Sequence, residues 1–477
     1  MSLSKIKKVL LIVPPAEFGY GYINRYFWQY GVLQLASYLL RQLAGRVQVT
    51  ICDGNIRNYA ECFSAMKEDK YDLYGFHCVD HTRSNALSLA SQALDSGVDV
   101  IFGGAGPTLG PKQYLEPFRD DMRENLVACC IGPGEQCLHA ILEGTAPCKT
   151  PNLIYIDKGK IVASGKTTNA PSSKHCYLNK QPWWVYQAEL KRYINHQLRC
   201  ADFPYPPVTF STMSHEGCIH RRKISTGTHN GCNFCGIPAA HFVPRDPRRI
   251  WDDLITFDSL AREESAQVCS VKDWGDSVTA EILQGLIDTR PPMYKNINYS
   301  CYLSIRDVND HTLELLRRLN CFSVYVGIDG TSDRSLRWLR KGYTSAQTWS
   351  ALEKIRRTGI KIEVGLILGV AEENPETLQY SLELSRQIVE MFKENVIVVQ
   401  GNVLIPMPGS PTFSQFQRYL ISKENTDPLF LDIENRIRSW LNLFTDVNYE
   451  TVITVQKAIE AISPRRHNYA TRSEQSP

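Results

Sequence analysis

Ser214-His215-Glu216-Gly217-Cys218 and, after a gap of 13 residues, Cys232-Asn233-Phe234-Cys235-Gly236-Ile237-Pro238 form the stretch around which the chain is read. Two residues between Cys232 and Cys235 let both thiolates turn back onto one metal centre, with Gly231 loosening the approach. Three thiolates are one short of the four usual on an iron–sulfur cube, so a fourth iron would stand open to bind and activate a ligand. The same pattern also suits half a zinc site, a redox pair or packed thiols. What surrounds it has to decide.

At 477 residues the chain is long enough for two or three domains, and a formal charge of +3 points to no polyanionic partner such as nucleic acid. Its 15 cysteines, with no signal peptide, read as reduced cytosolic thiols, some of them metal ligands, which predicts a cytoplasmic protein. No apolar run approaches the ~18 residues of a membrane span. The polar stretch from Ser463 to Pro477 reads as a disordered tail.

Residues 1–145 alternate strands and helices. Strands are expected at Val9–Val13, Val47–Cys52, Asp72–Phe76, Val98–Phe102 and Leu126–Ile131, which predicts a doubly wound, Rossmann-like parallel sheet. Such sheets bind ligands beyond the carboxyl ends of their strands. Here those ends carry Pro14-Pro15, Gly103-Gly104 with Gly106-Pro107, and Gly132 with Gly134-Glu135. Glycines after strands serve equally as tight turns. Their order, Val-Pro-Pro, Gly-Gly-x-x-Pro-Thr and Ile-Gly-x-Gly-Glu, resembles the cobalamin-binding domain found ahead of radical S-adenosylmethionine (SAM) enzymes. The resemblance implies a corrin lying across these turns. The Asp-x-His-x-x-Gly signature of a lower axial histidine is absent, because Asp80 and His81 are adjacent. That implies cobalamin bound without a protein imidazole on cobalt; His77, at a strand end, is compatible with an approach to the metal or with plain lining.

Residues 146–208 read as a linker: a hairpin over 151–162 around Asp157-Lys158-Gly159, then an aromatic connection with Trp183, Trp184, Tyr186 and Tyr193. The paired tryptophans suit domain packing or substrate stacking. From 209 to 415 six strand–helix units follow one another, with polar groups at the strand ends, which predicts a (β/α)6 partial TIM barrel with its site at the carboxyl edge. Residues 416–477 give a small helical C-terminal cap and the tail. The fold class is therefore α/β throughout.

In this second region the motifs fall in an order that resembles the cobalamin-dependent (class B) radical SAM enzymes. They are Glu-Gly-Cys and Cys-x-Phe-Cys-x-Ile-Pro, then Lys-Asp-Trp-Gly-Asp, Gly-Ile-Asp-Gly, Arg-Lys-Gly, Gly-Leu-Ile-Leu-Gly and Pro-Met-Pro-Gly-Ser-Pro. That family usually has three residues between its first two cysteines, and this chain has 13, so residues 219–231 read as an enlarged cluster loop. Its run His220-Arg221-Arg222-Lys223 suits a solvated surface, an acidic substrate or a reductase, and His220 and His229 are open as ligands.

The resemblance implies that Cys218, Cys232 and Cys235 hold a [4Fe-4S] cluster and that SAM chelates its open iron. An electron from a donor such as flavodoxin or ferredoxin would then release a 5′-deoxyadenosyl radical. Residue by residue, Phe234 and Ile237 would pack by the adenine. Asp273 and Asp276 would face the SAM amine, Arg306 and Asp329 its carboxylate or ribose, and Gly365 to Gly369 would edge the adenine. An ordinary strand-end salt bridge is the other reading of each charged residue. Cobalamin beside such a site implies methyl transfer to an unactivated carbon of a small-molecule substrate. The alternatives are a radical ring closure, contraction or rearrangement with the same cofactors, or a non-catalytic cobalamin or iron–sulfur binding protein.

Overall fold

A computed structural model describes residues 7–16, 27–120, 124–165, 181–200, 203–221, 231–236 and 242–463. Two compact units divide them. One takes in residues up to 200 together with 252–266, the other residues 203–251 and 267–463.

The first unit begins with β1 (Lys7–Val13), α1 (Tyr30–Gln42), β2 (Val47–Asp53), α2 (Tyr59–Lys67) and β3 (Leu73–His77). It continues through α3 (Arg83–Asp95), β4 (Asp99–Gly103), the short α4 (Ala105–Leu109) and α5 (Lys112–Leu115), β5 (Val127–Cys130) and α6 (Glu135–Leu142). The sheet order β2-β1-β3-β4-β5 is parallel throughout and reverses direction of growth at β1 and β3. β1 is buried from Val9 to Val13 on both faces, as a strand covered by helices on both sides must be. On one face Leu10, Ile12, Phe76 and Phe102 pack with Ala86, Leu89 and Tyr114 in a single core. The helix starts are chemically marked: Asn58 accepts from Glu61 N–H and Glu61 reaches back to Asn58 N–H.

The hairpin expected in the linker belongs to this sheet instead. β6 (Leu153–Asp157) pairs antiparallel with β5 and β7 (Lys160–Ala163) with β6, which makes seven strands in a mixed sheet. The aromatic connection is also a helix of the first unit, α7 (Gln187–Arg199). Tyr186 and Tyr193 hydroxyls both donate to Asp53 Oδ2 at the end of β2, and Arg57 pairs with Glu189 at 2.6 Å. Trp183 is buried here while Trp184 is 69% exposed.

The second unit opens on β8 (Thr209–Thr212) and a small ribbon of β9 (His215–Glu216) with β10 (Val243–Pro244). α8 (Pro247–Glu263) follows, its residues from 252 on counted with the first unit, and then come β11 (Ser270–Asp273), α9 (Ala280–Thr289), β12 (Asn298–Tyr302), α10 (Asp310–Arg318) and β13 (Cys321–Asp329). Then follow α11 (Asp333–Trp338), α12 (Ser345–Thr358), β14 (Lys361–Leu368), α13 (Pro375–Phe392), β15 (Val396–Val403) and α14 (Pro411–Glu424). The six long strands pair in parallel in the order β15-β14-β13-β12-β11-β8, an open sheet in chain order, as six right-handed βα units give. Thr279, Asn309, Thr344, Asn374 and Ser410 each cap the helix that follows, and Pro375 and Pro411 occupy first-turn positions where no N–H is needed.

Two more helices close the described residues, α15 (Ile433–Phe444) and α16 (Tyr449–Ile462). The first of them starts at Ile433, where the Asp432 side chain accepts from Asn435 N–H, after a separate turn at Pro428–Phe430. α16 does not stand apart as a cap. Ser463 Oγ at its end accepts from Val399 N–H of β15, and Ile459 lies against Gly401. No helix among the described residues is long and apolar enough to cross a membrane.

Candidate active site

The cysteine stretch leaves β8 and is gripped at its base. Val243 and Pro244 of β10 pair with Glu216 and His215 of β9, so the ribbon brings the two ends of the cysteine loop together. His215 is fully buried, and burial holds its pKa below the usual imidazole range although Asp273 pulls the other way. Its Nε2 accepts from Ser277 N–H, so Nδ1 carries the proton and donates to Ser214 Oγ at 2.9 Å. A Cβ on Gly275 would stand 2.2 Å from the ring, so only glycine fits beneath it.

Cys232 and Cys235 share one turn, with Cys235 N–H donating to Cys232 O at 3.2 Å. Asn233 inside that turn is fixed from both sides: its N–H donates to Leu339 O, and its carbonyl accepts from Thr412 N–H and Oγ1. Gly236 lies so close to Pro408 O that a Cβ there would come within 2.9 Å. This explains why the Pro-Met-Pro-Gly-Ser-Pro segment returns to the cysteines. All three thiols are partly exposed and take part in no disulfide. Burial raises the Cys218 thiol to about 11, and the charges of Asp276, Cys232 and Cys235 push the same way. Among the described residues no three His, Cys, Asp or Glu side chains converge as a single-ion site.

Two cations attend the trio. Arg221 donates through Nη1 to Cys235 O at 3.3 Å and to Cys235 Sγ at 3.5 Å. Lys341 lies 5.6 Å from the Phe234 ring centre and pairs with Asp329 Oδ2. Burial opposes its charge, but Asp329, Tyr343 and Cys232 together raise its pKa above the usual lysine range. His220 is engaged with Asp307 at 2.9 Å; His229 and Ile237 lie outside the described residues.

The strand-end residues separate into those that build the rim and those left facing outward. Asp273 ends β11 fully buried, accepting from Ser214 N–H, Gly275 N–H and Tyr299 OH. Its carboxylate organises the loop. Asp276, three residues on, is exposed; desolvation nonetheless raises it to about 6, with Arg221 pulling it down. Arg306 is a clamp. Its guanidinium donates to the carbonyls of Lys341 and Arg340, and Gly342, at φ +69°, leaves room for it. Asp329, also at positive φ, folds back over Gly327 to hold Lys341. Gly365 lies in β14 under the Tyr325 hydroxyl. Gly369 just after it donates to Glu373 and accepts from Trp440 Nε1 at 2.8 Å. Sequence reasoning missed the Arg221, Lys341 and Asn233 contacts. The Arg-Lys-Gly motif was the only trace of the second.

In the first unit β1, β3, β4 and β5 lie side by side, so their carboxyl ends share one edge. Pro15 O accepts from Asn85 Nδ2, and Gly54 packs too close to Pro15 for any side chain. Cys78 N–H donates to Gly103 O, and Gly104, at φ +97°, sits against Cys78 O and His77 Nδ1. Gly106 is forced by Tyr114, whose hydroxyl would lie 2.2 Å from a Cβ. Pro107 is buried in α4, and Gly134 leads into α6 at Glu135. Gly103 and Gly132 face open space, Gly132 N–H being held by Thr108 Oγ1. His77, half-buried, is held by desolvation near a pKa of about 4, a neutral imidazole at physiological pH.

Comparison with known proteins gives three kinds of likeness. Residues 223–385 match the radical SAM superfamily, a span that includes Cys232 and Cys235 and begins after Cys218. An uncharacterized methyltransferase of Pyrococcus horikoshii is 21% identical over 422 residues, 85% of this chain and 82% of that protein. The hopanoid C-2 methylase of Rhodopseudomonas palustris is 22% identical over 222 residues, 45% of this chain and 41% of that one. Among solved structures, the cobalamin-dependent SAM radical enzyme OxsB with aqua-cobalamin bound aligns with a TM-score of 0.66 at 12% identity, over 88% of this chain. The chain spans 62% of OxsB's length, under two thirds of it. The methyltransferase TsrM of Kitasatospora setae, with cobalamin and a [4Fe-4S] cluster, gives 0.63 at 18% identity over 88% of this chain and 76% of TsrM.

Proposed function

We propose that this chain, an enzyme built on a radical SAM domain, is a cobalamin-dependent radical SAM methyltransferase acting on a carbon of a small-molecule substrate. The observation that carries the reading is the trio of Cys218, Cys232 and Cys235 at the head of a six-stranded parallel sheet. It follows a β2-β1-β3-β4-β5 sheet whose carboxyl edge is lined by glycines. The residues present suit both groups. Three partly exposed thiols, with Arg221 and Lys341 beside them, suit an anionic cluster that keeps one iron open. The space over Gly103 and Gly132 suits a flat macrocycle: among the described residues nothing lies within 4 Å of a Cβ placed at either.

When bound, cluster and SAM supply a carbon-centred radical and cobalamin carries the methyl group. The chain's own residues do the rest. Cys218, Cys232 and Cys235 would hold three irons, kept in place by the β9–β10 ribbon and the clamp on Asn233. Asp276 would present a carboxylate to an ammonium group, and Phe234 a ring face to the adenine. Arg306 and Asp329 would act one step back, by fixing the Arg340–Gly342 loop and Lys341. In the first unit Pro14-Pro15, Gly103-Gly104, Gly106-Pro107 and Gly132 to Glu135 would lie under the corrin, with His77 neutral beside it.

The test is anaerobic reconstitution of the full chain, with iron, sulfide and bound cobalamin measured together, followed by product analysis from SAM. The reading expects about four irons per chain, bound cobalamin, and S-adenosylhomocysteine alongside 5′-deoxyadenosine. Cys232→Ala should lose most of the iron. Iron uptake undiminished in that variant would refute the site; 5′-deoxyadenosine without S-adenosylhomocysteine would replace methyl transfer by a rearrangement.

A further inference from the structure

The enlarged cysteine loop carries a buried charge with no explanation in the fold. Arg221 is 6% exposed; among the described residues no carboxylate lies within ion-pair distance of it, though Asp276 feels its charge from farther off. Its stem lies against Gly231, where a Cβ would come 3.0 Å from Arg221 Cγ. Nη1 is spent on Cys235 O and Sγ, and Nε has no hydrogen-bond partner. A guanidinium taken out of water costs stability unless an anion answers it. The group at its tip is Cys235, through both its carbonyl and its sulfur.

Resting on the cluster reading above, we propose that Arg221 is the charge partner of the three-cysteine set, and that it makes the bound cluster easier to reduce. One-electron reduction adds a negative charge to the cluster, and net charge and hydrogen bonds to sulfur are what set its potential. Lys341 cannot fill the same role, because Asp329 already neutralises it. Arg221 touches Cys235 Sγ directly, while Asp276 feels its charge only at longer range.

The unusual spacing gains a reason. Arg221 is the third residue after Cys218, and its N–H turns back onto Cys218 O at 2.9 Å. With three residues between the first two cysteines, that position would lie directly beside the second one in sequence. With 13 residues between them, Arg221 is separated in sequence from the second cysteine, closes a turn on Cys218 and reaches Cys235 Sγ with its guanidinium.

The experiment is a redox titration of the anaerobically reconstituted full chain, followed by the electron paramagnetic resonance of the reduced cluster, for wild type, Arg221→Gln and Arg221→Lys. Iron and sulfide per chain are measured on each. Arg221→Gln should keep its iron and lose at least tenfold in the equilibrium constant for reduction, a midpoint lower by about 59 mV. Arg221→Lys should fall between. A midpoint unchanged in Arg221→Gln with iron retained overturns the proposal. If Arg221→Gln takes up no iron, Arg221→Lys decides. Loading restored by charge alone supports the assignment, whereas an iron-free Lys variant with native circular dichroism overturns it. Wild-type protein that takes up no iron is a different failure, that of the cluster itself.

Discussion

Glu373 sits at the turn after β14, 4% exposed, and its carboxylate accepts from Gly369 N–H. Desolvation raises its pKa from 4.5 to about 7, against the pull of the Gly369 and Val370 amides. The folded chain therefore binds a proton between roughly pH 4.5 and 7 that the unfolded chain does not. Stability contributed by that proton is present in full below the unfolded value and is lost as pH rises through 7. A shift of about 2.5 units at 1.36 kcal/mol each makes the loss about 3 kcal/mol. Glu373→Gln keeps an acceptor for Gly369 but has no charge to desolvate. The variant should match wild type near pH 4.5 apart from a constant offset, and gain on it steadily until it is about 3 kcal/mol more stable, relative to that offset, at pH 8. Urea unfolding followed by tryptophan fluorescence is well placed to see this, because Trp440 donates to Gly369 O in the same turn. Parallel stability curves for the two proteins from pH 4.5 to 8 would refute the reasoning.

Other consequences follow from the two sites. Asp276, raised to about 6 by desolvation, becomes a carboxylate as pH passes that value. Affinity for SAM should therefore rise by about tenfold between pH 5 and 8, as expected of one charge-assisted contact, and Asp276→Asn should flatten the profile in equilibrium dialysis. An unchanged slope in the variant removes Asp276 from the ammonium site. At the first sheet's edge, Gly106→Ala puts a Cβ 2.2 Å from the Tyr114 hydroxyl. Overpacking of this kind costs about 1–3 kcal/mol. Thermal unfolding and cobalamin retention on gel filtration should both fall, and the double variant Gly106→Ala/Tyr114→Phe, which removes the clashing oxygen, should recover most of the loss.

Much of the fold was legible because its signals are local. Val9–Val13 is apolar on both faces, so it had to be a strand covered twice, and the Asn, Ser and Thr caps mark where each βα unit turns. What escaped was set by distant partners. The 151–162 hairpin carries its turn in its own sequence, but its place beside β5 depends on backbone bonds such as Ile131 N–H to Asn152 O, which no local pattern encodes. The aromatic run before α7 looked like a connection for the same reason. Only Asp53, more than 130 residues away, explains why Tyr186 and Tyr193 turn inward.

The site divides along the same line, and the division is chemical. Cysteine spacing announces itself, since few residue types bind metals and their intervals are short. The carboxylates and arginines were harder, because a strand-end Asp reads the same whether it faces a ligand or ties down a loop. Asp273 and Asp276 stand in one motif, yet three donors spoken for at Asp273 turn it into scaffold, while Asp276 keeps a carboxylate with only the field of Arg221 upon it. Arg306 and Arg221 divide in the same way. The first donates to two backbone carbonyls and is complete; the second is buried with an N–H unspent and sulfur at its tip. A polar group with every hydrogen bond satisfied inside the chain has little left to offer a ligand. Counting unspent donors and acceptors therefore sorts ligand-facing groups from supporting ones, and by that count Asp276 and Arg221 are the groups to test beside the proposed cysteine ligands.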